Sequence, residues 1–288
     1  MSESASYFET AKVNDSLLKK LKRVLSSAAM LLSAYALVQL LVQAYIFCVS
    51  FLLGYTVKFG YHWVSVKPYE YEYWGSNRVL MIYVIPPVLC LIAAYAIQFI
   101  KLGKDGSVSR IRLFWFWLHT CFINLFLTQL FIMPVGINGG LTGLYQTFSI
   151  VASWFRMDPT FFIPATVIAG SLAIVWGLLS SPQMLRFSFS ARLITTLSGK
   201  DAIVRQVYLF PIVLAAPVIA VVSNQYSFLM HLVSIMLLIL PVLGTIIRHR
   251  TDAGAVMCSK EDVLNQWPVA ELLMAAVIWS AIVVLFNH

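Results

Sequence analysis

Residues 19–57 read KKLKRVLSSAAMLLSAYALVQLLVQAYIFCVSFLLGYTV, a short basic run followed from Val24 to Val57 by a stretch without a single charge. A secretory signal has an apolar region of only about 7 to 15 residues, so this stretch is expected to remain as an uncleaved anchor. An α-helix crosses a hydrocarbon core roughly 30 Å thick with about 20 apolar residues. At 1.5 Å per residue, Val24 to Val57 makes about 50 Å of helix, which must tilt strongly or project beyond the bilayer.

Working outward, similar apolar stretches recur near 79–100, 113–133, 159–180, 207–223, 228–247 and 268–286. The chain is 60% hydrophobic and 11% charged, with a mean hydropathy of +0.83. A soluble globule would carry roughly 25% charged residues, so lipid is the expected solvent. The runs lack the in-and-out alternation of membrane barrels. The expected fold is all-α, a polytopic transmembrane bundle of about seven spans. Residues 1–23 form a polar and basic lead-in, and 24–288 a single transmembrane domain.

The basic residues orient that bundle. Of the 20 Lys and Arg, sixteen fall in four segments: Lys12, Lys19, Lys20, Lys22 and Arg23; Lys101, Lys104, Arg110 and Arg112; Arg186, Arg192, Lys200 and Arg205; and Arg248, Arg250 and Lys260. Lys58, Lys67, Arg78 and Arg156 lie in the other connections. Short cytoplasmic loops hold the excess of Lys and Arg, so the amino terminus is expected inside and the carboxyl terminus outside. The net charge of +8 is explained by the anionic lipid beside these segments. Nucleic acid is not an expected partner, because no compact basic domain is present.

No cofactor, metal site or catalytic constellation is expected. Cys48, Cys90 and Cys121 lie within spans and Cys258 in a cytoplasmic loop, without the paired spacing of a zinc or iron–sulfur site. HExxH and GxSxG settings are missing. Glu271 follows Pro268, and an acid in the first turn stabilises a helix start.

Two spans carry distinctive polar or breaking residues. The second contains Pro86 and Pro87, which remove backbone donors and kink or break a helix; such a span is expected to face protein. The third, FWFWLHTCFINLFLTQLF, places Thr120, Asn124 and Thr128 on one face at four-residue spacing, with His119 and Gln129 in another sector. Polar groups in lipid are costly and point into the bundle. Two readings stay open: a proton, ion or ligand site around His119 and Asn124, or interhelical hydrogen bonding with Gln39 and Gln43 as partners.

Two external segments also stand out. One, residues 55–78, concentrates aromatics including Trp63, Tyr69, Tyr71, Tyr73 and Trp74. It reads either as an interfacial anchor or as a binding surface for a glycan, a lipid headgroup or a protein. The other, residues 134–160, opens with Gly136, Gly139, Gly140 and Gly143 and continues into an apolar run, Phe148 to Phe155, too short to cross. A re-entrant or interfacial hairpin fits that order.

The series Trp117-Leu118-His119, Gly139-Gly140-Leu141-Thr142-Gly143 and Trp154 resembles a pattern in multi-pass inner-membrane proteins of Bacteroidota that have no assigned activity. The resemblance implies a bacterial inner membrane and supplies no mechanism. The leading functional expectation is a non-catalytic membrane subunit or scaffold of a larger envelope assembly, with protein partners in the bilayer. The alternatives are a small transporter or channel component using the polar third span, and an intramembrane enzyme with His119 as acid or base.

Overall fold

The computed structural model describes residues 17–59, 64–67, 75–102, 109–133, 148–158, 160, 162–188, 195–222, 228–251, 264 and 266–286. They form helices α1 (Leu17–Leu52), α2 (Ser76–Tyr83), α3 (Ile85–Ile97), α4 (Arg110–Ile132), α5 (Phe148–Trp154), α6 (Phe162–Arg186), α7 (Leu197–Val204), α8 (Phe210–Val222), α9 (Phe228–Ile239), α10 (Pro241–Thr251) and α11 (Val269–Phe286). One antiparallel hairpin, β1 (Thr56–Phe59) and β2 (Val64–Lys67), joins them, pairing Thr56 with Lys67 and Phe59 with Val64. The protein is an all-α helical bundle with six helical runs long and apolar enough to cross a membrane. The seventh expected span, α11, is apolar over the shorter stretch Val269–Val284, about 24 Å of helix.

The centre of the bundle is α4. It packs against α1, α3, α6 and α9, and it is the least apolar of the six long runs yet the most buried. In lipid this inversion has a physical cause: a span with polar side chains gains from facing helices that can bond them, whereas purely apolar spans are as well solvated by acyl chains. The apolar α6 accordingly turns Ile163, Val167, Ile168 and Leu179 outward.

Contacts between distant segments place the described parts of the four basic regions at one end of the bundle. Arg23 donates to Gln206 at 3.2 Å, Lys22 lies 5.1 Å over the Trp267 ring, and Arg110 meets Glu271 at 2.7 Å. Arg112 and Arg186 both donate to the Leu102 carbonyl, at 3.0 and 3.5 Å. His249 and Asp201 are 3.1 Å apart. The last helix then runs alongside the first: beyond the Lys22–Trp267 contact, Trp279 Nε1 donates to the Leu32 carbonyl at 3.3 Å. Its buried residues Glu271, Ala275, Trp279 and Ile282 form a single stripe, while Leu272, Leu273, Val277 and Val284 face outward.

Several boundaries differ from the sequence expectation. The first span begins at Leu17 and ends at Leu52, not Val57; its 36 residues make about 54 Å of helix. Gly54, at φ +82°, turns the chain into the hairpin, a backbone change that a run of apolar letters does not reveal. Pro86 and Pro87 do break the second span, standing at the first positions of α3 after a junction at Val84. Both prolines are buried, but Leu89, Ile92, Tyr95 and Phe99 on the same span are exposed, so only one side of it faces protein. The helix α6 continues through Pro182 to Arg186.

Two π-helical turns, Gln98–Leu102 and Arg205–Leu209, interrupt the regular helices near the basic end. At the second, the Ser27 hydroxyl donates to the Val207 carbonyl at 2.5 Å and accepts from Trp117 Nε1 at 2.8 Å. Trp117 in turn stacks on Tyr208, with ring centroids 5.1 Å apart. The helices α6 and α10 come into backbone contact at Gly177 and Gly244. A Cβ on Gly177 would fall 2.0 Å from the Pro241 carbonyl oxygen, and one on Gly244 2.0 Å from that of Ile174. Only glycine permits that approach.

Candidate functional site

The polar residues of α4 do not converge on one point. Thr120 Oγ1 donates to the Phe116 carbonyl at 2.9 Å and Thr128 Oγ1 to that of Asn124 at 2.7 Å, so both hydroxyls are satisfied by their own helix. Asn124 reaches outward: its Nδ2 donates to Ser234 Oγ on α9 at 2.6 Å. The Tyr35 hydroxyl on α1 and His231 Nδ1 on α9 are 2.6 Å apart. A neutral polar network thus ties α1, α4 and α9 together inside the bundle. Gln129 Nε2 points to Met230 Sδ, 4.0 Å away, a weak acceptor.

His119 belongs to a different neighbourhood. Its Nδ1 lies 2.7 Å from the Ala94 carbonyl, and because a carbonyl only accepts, Nδ1 carries a proton, which in the neutral ring leaves the lone pair on Nε2. The ring meets Trp176 edge to face, with centroids 4.4 Å apart. His119 Nε2, Trp176 Nε1 and Asn124 Oδ1 are buried without hydrogen-bond partners. Five residues at 100° each separate His119 from Asn124 by about 140° around the helix. The structure therefore does not bring these two together: one faces α3 and α6, the other α9. No carboxylate, thiol or hydroxyl bonds to His119 among the described residues, which leaves it without the partners that acid–base catalysis usually recruits.

Sequence reading missed Tyr35, Ser234 and Trp176. A tyrosine or tryptophan in an apolar run looks like core, and only a count of polar tips needing partners in lipid singles them out. Gln39 and Gln43 are buried as expected, but Asn124 bonds to Ser234 instead.

Of the aromatic surface expected on the external side, Trp63, Tyr69, Tyr71, Tyr73 and Trp74 lie outside the described residues, as do the glycines between 136 and 143. What borders them is ordered by specific contacts. Tyr55 is buried beneath the hairpin, with the Arg78 guanidinium 6.0 Å from its ring. After α5, Asp158 Oδ1 accepts from the Thr160 backbone N–H and hydroxyl, at 2.9 and 2.8 Å. Those two bonds hold its carboxyl below the usual range.

Among the described residues no group of three or more His, Cys, Asp or Glu stands close enough to hold a metal ion. No protein-family model matches the chain, and no curated protein or solved structure is found similar to it.

Proposed function

We propose that this multi-pass membrane protein is a non-catalytic subunit or scaffold of a larger envelope assembly in a bacterial inner membrane. Its basic end faces the cytoplasm and its hairpin the exterior. One observation carries the reading: the central polar span directs its side chains to its own carbonyls and to neighbouring helices, the use expected of a packing element. The aromatic stretch holding Trp63, Tyr69, Tyr71, Tyr73 and Trp74 and the outward faces of α6 and α11 are the surfaces such a subunit offers to protein partners. Extraction from native membranes in mild detergent tests it. Stoichiometric membrane proteins are expected to co-purify, and a protein that comes out alone and monodisperse overturns the reading. Orientation has its own test: an alkaline phosphatase fusion at His288 should be active, and an inactive one reverses the assignment or changes the span count by one.

A transporter or channel component is the second reading, favoured by the unpartnered buried atoms His119 Nε2 and Asn124 Oδ1. Replacing either residue would then abolish uptake while leaving assembly intact. Under the scaffold reading the same variants change only stability or co-purification.

A further inference from the structure

The start of α1 meets the junction of α7 and α8 at the basic end. A groove of about 610 Å³ lies there. Its floor is apolar, built from Leu21 and Val24 of α1 and from Phe210, Val213 and Leu214 of α8, and its mouth carries Lys20 and Arg205. We propose that this groove is a specific site for one anionic glycerophospholipid, its phosphate held between Lys20 and Arg205 and an acyl chain lying along α8.

Charge complementarity supports this occupant. Both cations are exposed, and neither forms an ion pair among the described residues. Arg205 gives only its Nε–H, to the Asp201 backbone carbonyl at 3.3 Å. The Asp201 carboxylate is engaged elsewhere, 3.1 Å from His249 Nδ1. Behind the mouth, the buried Arg23 donates to Gln206, which lines the groove; a third positive charge thus stands close by while the wall is held in place. Basic pockets between spans on the cytoplasmic side are suited to anionic headgroups.

The order of chemistry along the helices matches that of a lipid. Beyond Leu17 at the start of α1 and Ala202 on α7, Lys20 precedes Leu21 and Val24, and on the second wall Arg205 precedes Phe210, Val213 and Leu214. Charge therefore sits at headgroup level and apolar surface deeper. Val213 also lines a second groove, of about 360 Å³, which continues between α8 and α9 past Pro217 to Ala220. From Phe210 to Ala220 the helix rises about 15 Å, half of a hydrocarbon core roughly 30 Å thick, the depth available to one acyl chain in one leaflet. An annular lipid held by apolar contact alone would not need the paired cations. The proposal does not depend on the scaffold reading, since a transporter could carry the same site.

The test is native mass spectrometry of the full chain in detergent, titrated with phosphatidylglycerol or with phosphatidylcholine of the same acyl chains. A one-to-one phosphatidylglycerol adduct is expected, with weaker retention of phosphatidylcholine. Losing two interfacial cations should weaken it about thirtyfold in Lys20→Gln/Arg205→Gln. Leu214→Trp, which fills the floor, should weaken both lipids. Lys58→Gln, on the hairpin at the other end, should change nothing. Equal retention of the two lipids, an undiminished adduct in the double variant, displacement by millimolar inorganic phosphate, or a co-purified protein shielding Lys20 and Arg205 from modification would each overturn the proposal. Unchanged melting of the variants in phosphatidylcholine establishes that folding is not the cause.

Discussion

The basic end and the membrane interior bury polar groups by different means. At the end, charged groups meet charged groups, an imidazole or backbone carbonyls: Arg110 with Glu271, Asp201 with His249, Arg112 and Arg186 on Leu102. Inside, the groups are neutral: a tyrosine with a histidine, an asparagine with a serine, threonines on their own helix. The difference follows from the cost of charge, which is several kcal/mol per ion away from water and is reduced where helix ends meet the interface. Ionic contacts accordingly align helix ends, whereas the neutral bonds select which helices become neighbours.

The contrast can be broken first at the end. Glu271→Ala leaves Arg110 beside an apolar stripe and should cost about 3 kcal/mol, at the low side of the range because Arg110 keeps 22% of its surface exposed. Thermal unfolding in detergent measures it. Arg110→Met combined with Glu271→Leu should recover most of the loss, since removing both charges also removes the desolvation penalty. Asn124→Leu comes next: an interhelical bond in a membrane is worth about 0.6 kcal/mol and at most roughly 1.7, so its melting shift should be clearly smaller than that of Glu271→Ala. Thr120→Val and Thr128→Val should lie within about 0.5 kcal/mol of the parent, because each removes a bond internal to α4. An Asn124 effect exceeding that of Glu271 would invert the ranking and place the dominant polar restraint in the interior.

Much of this arrangement was legible as sequence. Alternating apolar and basic segments specify the helices and the gathering of Arg23, Arg110, Arg205 and Arg248 toward one side, because both features are written in neighbouring residues. The angular separation of His119 from the Thr120, Asn124 and Thr128 face was legible too, from helical period alone. Their partners were not: Tyr35 and His231 stand 196 positions apart, Asn124 and Ser234 110, and nothing local in either residue names the other. The end of the first span at Leu52 was hidden because Leu53, Gly54 and Tyr55 leave the helix without leaving the apolar composition. The π turns at Gln98 and Arg205 were equally invisible, since a change of hydrogen-bond step alters no letter.

The single contact stripe of α11 bears on how the protein is made. This segment is synthesised after the six long helical runs, and domains form as their parts emerge. It packs along α1, burying Ala275, Trp279 and Ile282, while Glu271 closes on Arg110. A quality-control protease or an insertase that recognises late intermediates would therefore meet a six-helix body with one open seam along α1.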